Sequence, residues 1–138
     1  MRILALDPGT RRIGVAVSDE GKMIAQPLEF IPAEPPEGVT ARLKELIAEK
    51  QVELILVGMP RNMDGSYGPA ATKAQGLVDA IQAAVDVPVK TWDERLTSAQ
   101  ANRLLIQGKV RRDKRKQKVD AIAAAIFLQS YLDARGET

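Results

Sequence analysis

The chain carries eighteen acidic residues and neither histidine nor cysteine. Acid-base or metal chemistry at neutral pH must then be built from carboxylates, lysines, hydroxyls and bound ions, with no imidazole or thiolate to help. Carboxylate oxygens are hard ligands, and they favour Mg2+ or Mn2+ over Zn2+. Three places in the sequence offer such oxygens where chemistry is expected. Asp7 ends the apolar run Arg2 to Leu6 and opens onto the turn residues Pro8, Gly9 and Thr10. Asp93 and Glu94 follow the run Val87 to Trp92, and Asp120 interrupts the otherwise apolar stretch Val119 to Leu128.

Acids at strand ends take priority, because ligands of open α/β sheets bind beyond the carboxyl ends of the strands. Each of these acids also has an ordinary explanation. Asp before Pro-Gly is common in turns, an acidic pair before a helix is favoured by the helix dipole, and a first-turn Asp can be satisfied by backbone amides. Asp120 argues hardest against the ordinary explanation, since an ionised carboxylate on a largely buried helix needs a metal or a basic partner such as Lys118. Side chains alternate along an extended segment, so one of Asp93 and Glu94 faces the site. Glu94, longer and lying beyond the strand, is the choice, with Asp93 behind it. Asp64, in the loop Gly58 to Gly65, is an alternative second acid. Asp7, Glu94 and Asp120 together are the expected catalytic and metal-binding set. Clustered carboxylates can bridge two divalent ions roughly 3.5 to 4 Å apart, which activate water and stabilise the leaving oxygen of a phosphodiester.

Charge suggests what is hydrolysed. The net charge is +2, yet Lys109 to Lys118 holds seven basic residues and one acid, leaving the rest of the chain negative. Such a run is usually a solvated loop, but one immediately before Asp120 would place a positive rim beside the metals, where a phosphate backbone could be held by salt-sensitive contacts. The expected nucleic-acid contacts are Arg11, Arg12, Arg61, Asn62, Arg95, Lys109, Arg111, Arg112, Lys114, Arg115, Lys116 and Lys118. Trp92 could stack on a base, although a lone Trp at a strand end more often joins the core.

The elements that must position these residues follow from periodicity. Arg2 to Leu6 and Arg12 to Ser18 read as a hairpin, and Met23 to Ile31 as a third strand that Pro27 assigns to an edge or a bulge. Val39, Leu43, Leu46 and Ile47 recur at helical spacing within Gly38 to Lys50. Glu53 to Val57 is a strand; Ala74, Leu77, Val78, Ile81 and Val85 mark a helix; and Val87 to Trp92 is a strand. Thr97 and Gln100 resemble a capping box for a helix that Gly108 closes. A last, mostly apolar helix follows Lys118. The expectation is one α/β domain over residues 1–138, a five-stranded mixed sheet flanked by helices on both faces. No stretch approaches the roughly 18 apolar residues of a membrane span, and the start lacks a signal-peptide pattern, so a cytoplasmic protein is expected.

Four segments carry a family resemblance: LALDPGTRRIGVAVSD at Leu4 to Asp19, VGMPRNMDG at Val57 to Gly65, DERLTSAQA at Asp93 to Ala101, and KVDAIAAAIFLQSYL at Lys118 to Leu132. In this order they resemble the YqgF/RuvX family over nearly the whole chain. The resemblance implies an RNase H-like fold related to the Holliday junction resolvase RuvC, and a nuclease associated with processing pre-16S rRNA. It implies Asp7, the acid of the DER motif and Asp120 as metal ligands, Gly9 and Gly14 as family glycines, and Lys118 as the basic residue before the last acid. RuvC-like enzymes place their second acid at the end of the fourth strand, where this chain has Gly58 and Pro60. The implied partners are pre-rRNA and branched DNA. Two cuts on a junction would need two active sites, hence a homodimer. Two other classes compete: an actin-like nucleotide-binding protein, suggested by Asp7 to Thr10 but too long for this chain, and a non-catalytic RNA-binding assembly factor.

Overall fold

The computed structural model describes residues 1–9, 11–59, 68–93 and 119–136, the side chains of Val119, Asp120 and Gly136 excepted. Its strands are β1 (Arg2–Pro8), β2 (Arg12–Ser18), β3 (Ala25–Pro32), β4 (Val52–Met59) and β5 (Val89–Asp93), and its helices are α1 (Pro36–Lys50), α2 (Pro69–Ala84) and α3 (Val119–Gly136). The strands form one sheet in the order β3-β2-β1-β4-β5. β2 is antiparallel to both β1 and β3, while β4 and β5 run parallel to β1. The carboxyl ends of β1, β4 and β5 therefore share one edge of the sheet.

Period-two alternation sorts the core into two layers. Leu4, Leu6, Val15, Val17, Ile55 and Val57 pack against Val39, Leu43 and Leu46 of α1 and Val78 and Ile81 of α2. Ile3, Ala5, Ala16, Ala25 and Leu56 point the other way and meet Ala124, Ala125, Phe127, Leu128 and Leu132 of α3. Helices thus cover both faces, as the apolar pattern predicts.

Where the elements differ from the sequence reading, local hydrogen bonding explains the boundary. β3 begins at Ala25 rather than Met23 because the Asp19 carboxylate accepts the N–H groups of Met23 and Ile24 at 2.8 and 3.0 Å, holding them in the turn. Pro27 sits on the edge strand and beside a register shift between Val15 and Ala16, so both consequences expected of it occur. α1 starts at Pro36, a residue whose fixed φ suits a first helical turn. α1 ends at Gln51, which adopts the left-handed conformation (φ 52°). There the Arg2 guanidinium donates to the Lys50 carbonyl at 3.1 Å, satisfying one of the helix's last acceptors. The helix predicted from Thr97 to Gly108 lies outside the described residues.

Two side chains tie helices to the sheet. Arg42 of α1 makes a paired hydrogen bond to the Glu29 carboxylate of β3 at 3.0 and 2.8 Å. Its pKa is raised, first by that bond and less by the charges of Glu29, Glu49 and Glu45, against a lowering from desolvation. Gln129 of α3 is buried; its Oε1 accepts the Ala25 N–H at 2.8 Å, and its Nε2 donates to the Met23 carbonyl at 3.0 Å. These partners lie where β2 ends and β3 begins, opposite the edge that carries Asp7. Gln129 thereby anchors α3 to this far edge of the sheet. No helix among the described residues is long and apolar enough to cross a membrane.

Candidate active site

Asp7 stands one residue before the end of the central strand β1 and is half-buried. The alternation Ile3, Ala5, Asp7 puts its side chain on the face that α3 covers. Its partner across the hairpin is Gly14. On the other side, β1 and β4 pair through Leu6 and Val57, so the next position along β4 is Gly58. An acid at the end of the middle strand thus lies between two strands that present no side chain beside it.

The turn after Asp7 is tight for a specific reason. The Gly9 N–H donates to the Arg12 carbonyl at 2.9 Å, and a Cβ at Gly9 would stand 2.6 Å from that same oxygen. Only glycine permits this approach, so the chain reverses immediately and brings Arg11 and Arg12, both exposed, to the site edge. Arg12 shares Gly14's face by alternation, and its guanidinium lies 5.2 Å from the centroid of the Phe30 ring.

The backbone of Asp120 is in the first turn of α3. It precedes Gln129 by nine residues, about 13 Å of helix. Asp93 closes β5 at this same edge, but it is paired in register with Met59, whose side chain packs with Ala71 and Ala74 of α2. Parallel neighbours in register share a face, which sets Asp93 on the α2 side, across the sheet from Asp7. Of the predicted residues, Asp7, Arg11 and Arg12 lie together at the β1–β2 turn, and Asp93 lies on the opposite face of the sheet from Asp7. Glu94, Asp64, Arg61, Asn62, Arg95 and Lys109 to Lys118 lie outside the described residues.

Trp92 takes the packing role rather than the stacking one: it is half-buried on the α3 face and meets Tyr131 edge-on, ring centroids 5.5 Å apart. Phe30 escaped the sequence reading, because a phenylalanine inside a predicted strand reads as core. Here it is 40% exposed.

The oxygen-only donor chemistry of this edge suits a hard divalent cation. Among the described residues no three carboxylates form a ready cluster, so Asp7 is the one candidate ligand whose described side chain faces this site.

A mixed sheet in this order, with an acid at the end of its central strand and helices on both faces, defines the RNase H-like class of nuclease folds. Solved structures carry the same fold: Thermus thermophilus RuvC with a Holliday junction substrate matches with a TM-score of 0.68 at 20% identity, covering 100% of this chain and 97% of that one. The fowlpox virus resolvase with Holliday junction DNA matches at 0.59 and 13% identity, covering 98% and 99%. Residues 1–134 match the family model described as RuvX, Holliday junction resolvase. The chain belongs to the RuvX family of nucleases. Curated relatives agree in length as well as sequence. Proteins named "Putative pre-16S rRNA nuclease" are 51% identical in Halothermothrix orenii over 96% of this chain and 95% of that one. The corresponding protein of Chloroflexus aggregans is 49% identical over 96% and 94%.

Proposed function

We propose that this nuclease hydrolyses phosphodiesters of structured RNA with the help of Mg2+ or Mn2+, and that its physiological reaction is trimming of the 16S rRNA precursor at its 5′ end. The observation that carries the reading is the placement of Asp7, half-buried at the carboxyl end of the central strand and on the face that α3 covers. RNA is preferred over junction DNA because the relatives of highest identity given above bear the rRNA name.

Asp7, Asp120 and Glu94 would hold the ions. Glu94 is preferred over Asp93 because Asp93 lies on the α2 face, and alternation gives the next residue of an extended segment the opposite side. The ions would supply charge stabilisation and an activated water at a chain that has no histidine base. The chain's own residues bind and orient. Asp7 offers carboxylate oxygens at the strand end, Arg11 and Arg12 draw the phosphate backbone to the edge, and Gly14 and Gly58 add no side chain beside Asp7. The basic run Lys109 to Lys118 and Arg61, Asn62 and Arg95 would extend the contact with the strand. Residues 1–138 acting as one domain, in the cytoplasm and as a homodimer, complete the proposal.

Incubation of labelled structured RNA and of branched DNA with the protein and Mn2+ or Mg2+ tests it. Asp7→Asn and Asp120→Asn should each lower the cleavage rate by about 100-fold or more while leaving binding and the thermal midpoint near those of the parent. Cleavage unchanged in both variants would remove the mechanism and leave the non-catalytic RNA-binding reading.

A further inference from the structure

Four large apolar residues are exposed among those described: Met1, Met23, Ile24 and Phe30. The first three lie at the edge opposite Asp7, around the start of β1 and the turn before β3. Phe30 alone is at the site edge. It pairs across strands with Gly14, and Gly14 pairs with Asp7. The three residues form a row across adjacent strands, about 4.8 Å per step, which sets the backbone of Phe30 roughly 10 Å from that of Asp7. The bulge between Val15 and Ala16 restores the register so that Phe30 falls on the α3 face, while its neighbour Glu29 points the other way to Arg42. Between ring and carboxylate the middle position is a glycine, so no β2 side chain separates them. Over one face of the ring sits the Arg12 guanidinium, 5.2 Å from the centroid, a cation attracted to the π system.

A part-exposed aromatic beside a cation, level with a nuclease acid, is a combination that holds single-stranded nucleic acid: the base stacks and the positive charge follows its phosphate. We propose that Phe30 and Arg12 form a shelf for an unpaired base of the RNA strand next to the one being cut. The substrate at this edge is then a single-stranded extension of a stem and not continuous duplex. The proposal rests on the nuclease reading above and specifies its substrate.

The test uses full-length protein carrying Asp7→Asn, so that binding is read without cleavage. Two RNAs are compared, a blunt stem and the same stem with a single-stranded extension carrying the fluorescent base 2-aminopurine. The parent should bind the extended RNA more tightly and quench the fluorophore. Phe30→Ala should weaken that binding by about 5- to 150-fold, the value of one stacked base, and abolish the quench. It should leave blunt-stem affinity unchanged, while Phe30→Tyr restores both signals. Since the ring is exposed, an unaltered melting curve will verify that Phe30→Ala folds. Equal affinities of the parent and Phe30→Ala for the extended RNA would overturn the shelf while leaving the nuclease reading intact. An equal loss on both RNAs would overturn it too, as general adhesion. Failure of the parent to bind either RNA would overturn the shelf, and cleavage of structured RNA by the unsubstituted protein decides whether the nuclease reading stands or falls with it.

Discussion

Glycines do as much as acids at this edge, and their effects can be separated by measurement. Gly9→Ala would drive a methyl group to 2.6 Å from the Arg12 carbonyl, which the turn can relieve only by opening. A loss of about 1 to 3 kcal/mol in denaturant unfolding is expected, together with weaker RNA binding as Arg11 and Arg12 move. At the far edge, Asp19 has its pKa lowered from the ordinary 3.8, chiefly by the N–H groups of Ile24 and Met23. A carboxyl held more acidic in the folded state stabilises the fold above its unfolded pKa, and that contribution disappears as pH falls through the depressed value. The parent should therefore exceed Asp19→Asn in melting temperature at neutral pH, with the gap closing as pH drops from about 4 downward. A gap that stays constant would show that the bonds survive protonation. Asp7 was legible in the sequence because an apolar run delivers it to a turn. Phe30 was not, since exposure of an aromatic depends on a bulge that shifts register, and no single-strand pattern shows which face a bulged strand presents.

Helices and strands were legible wherever burial on one side imposed a period. β1, β2, β4 and all three helices described here follow their apolar spacing. Their ends were set by particular bonds instead, such as the Asp19 carboxylate that delays β3 and Pro36 that advances α1. The end of α1 yields a prediction of its own. Gln51 holds a left-handed conformation that costs a residue with a Cβ roughly 1 kcal/mol. Gln51→Gly should raise unfolding free energy by about 0.5 to 1 kcal/mol, read in urea, with no change in cleavage. A decrease would mean that the Gln51 side chain contributes more than its backbone costs.

At the scale of the molecule, positive charge is concentrated in one decapeptide, Lys109 to Lys118, while the rest is net negative. Replacing Arg111, Arg112 and Arg115 with glutamine should weaken RNA binding and reduce the slope of log affinity against log salt by about 2 to 3. An unaltered slope would assign the run to solvent. The fold class and the mixed five-stranded sheet could be read ahead because a hairpin followed by alternating helices and strands leaves few right-handed ways to close a sheet. The second acid could not, since the face occupied by Asp93 depends on its register with Met59, a long-range pairing. The grip of Gln129 on Met23 and Ala25 carries one more implication. An α-helix that slips by one residue advances about 1.5 Å and rotates about 100°, enough to swing Asp120 away from any ion shared with Asp7. The buried Gln129 amide, bonded at the opposite edge of the sheet, resists such slippage, so on the proposed ligand set Gln129→Ala would lower cleavage although Gln129 is no part of that set.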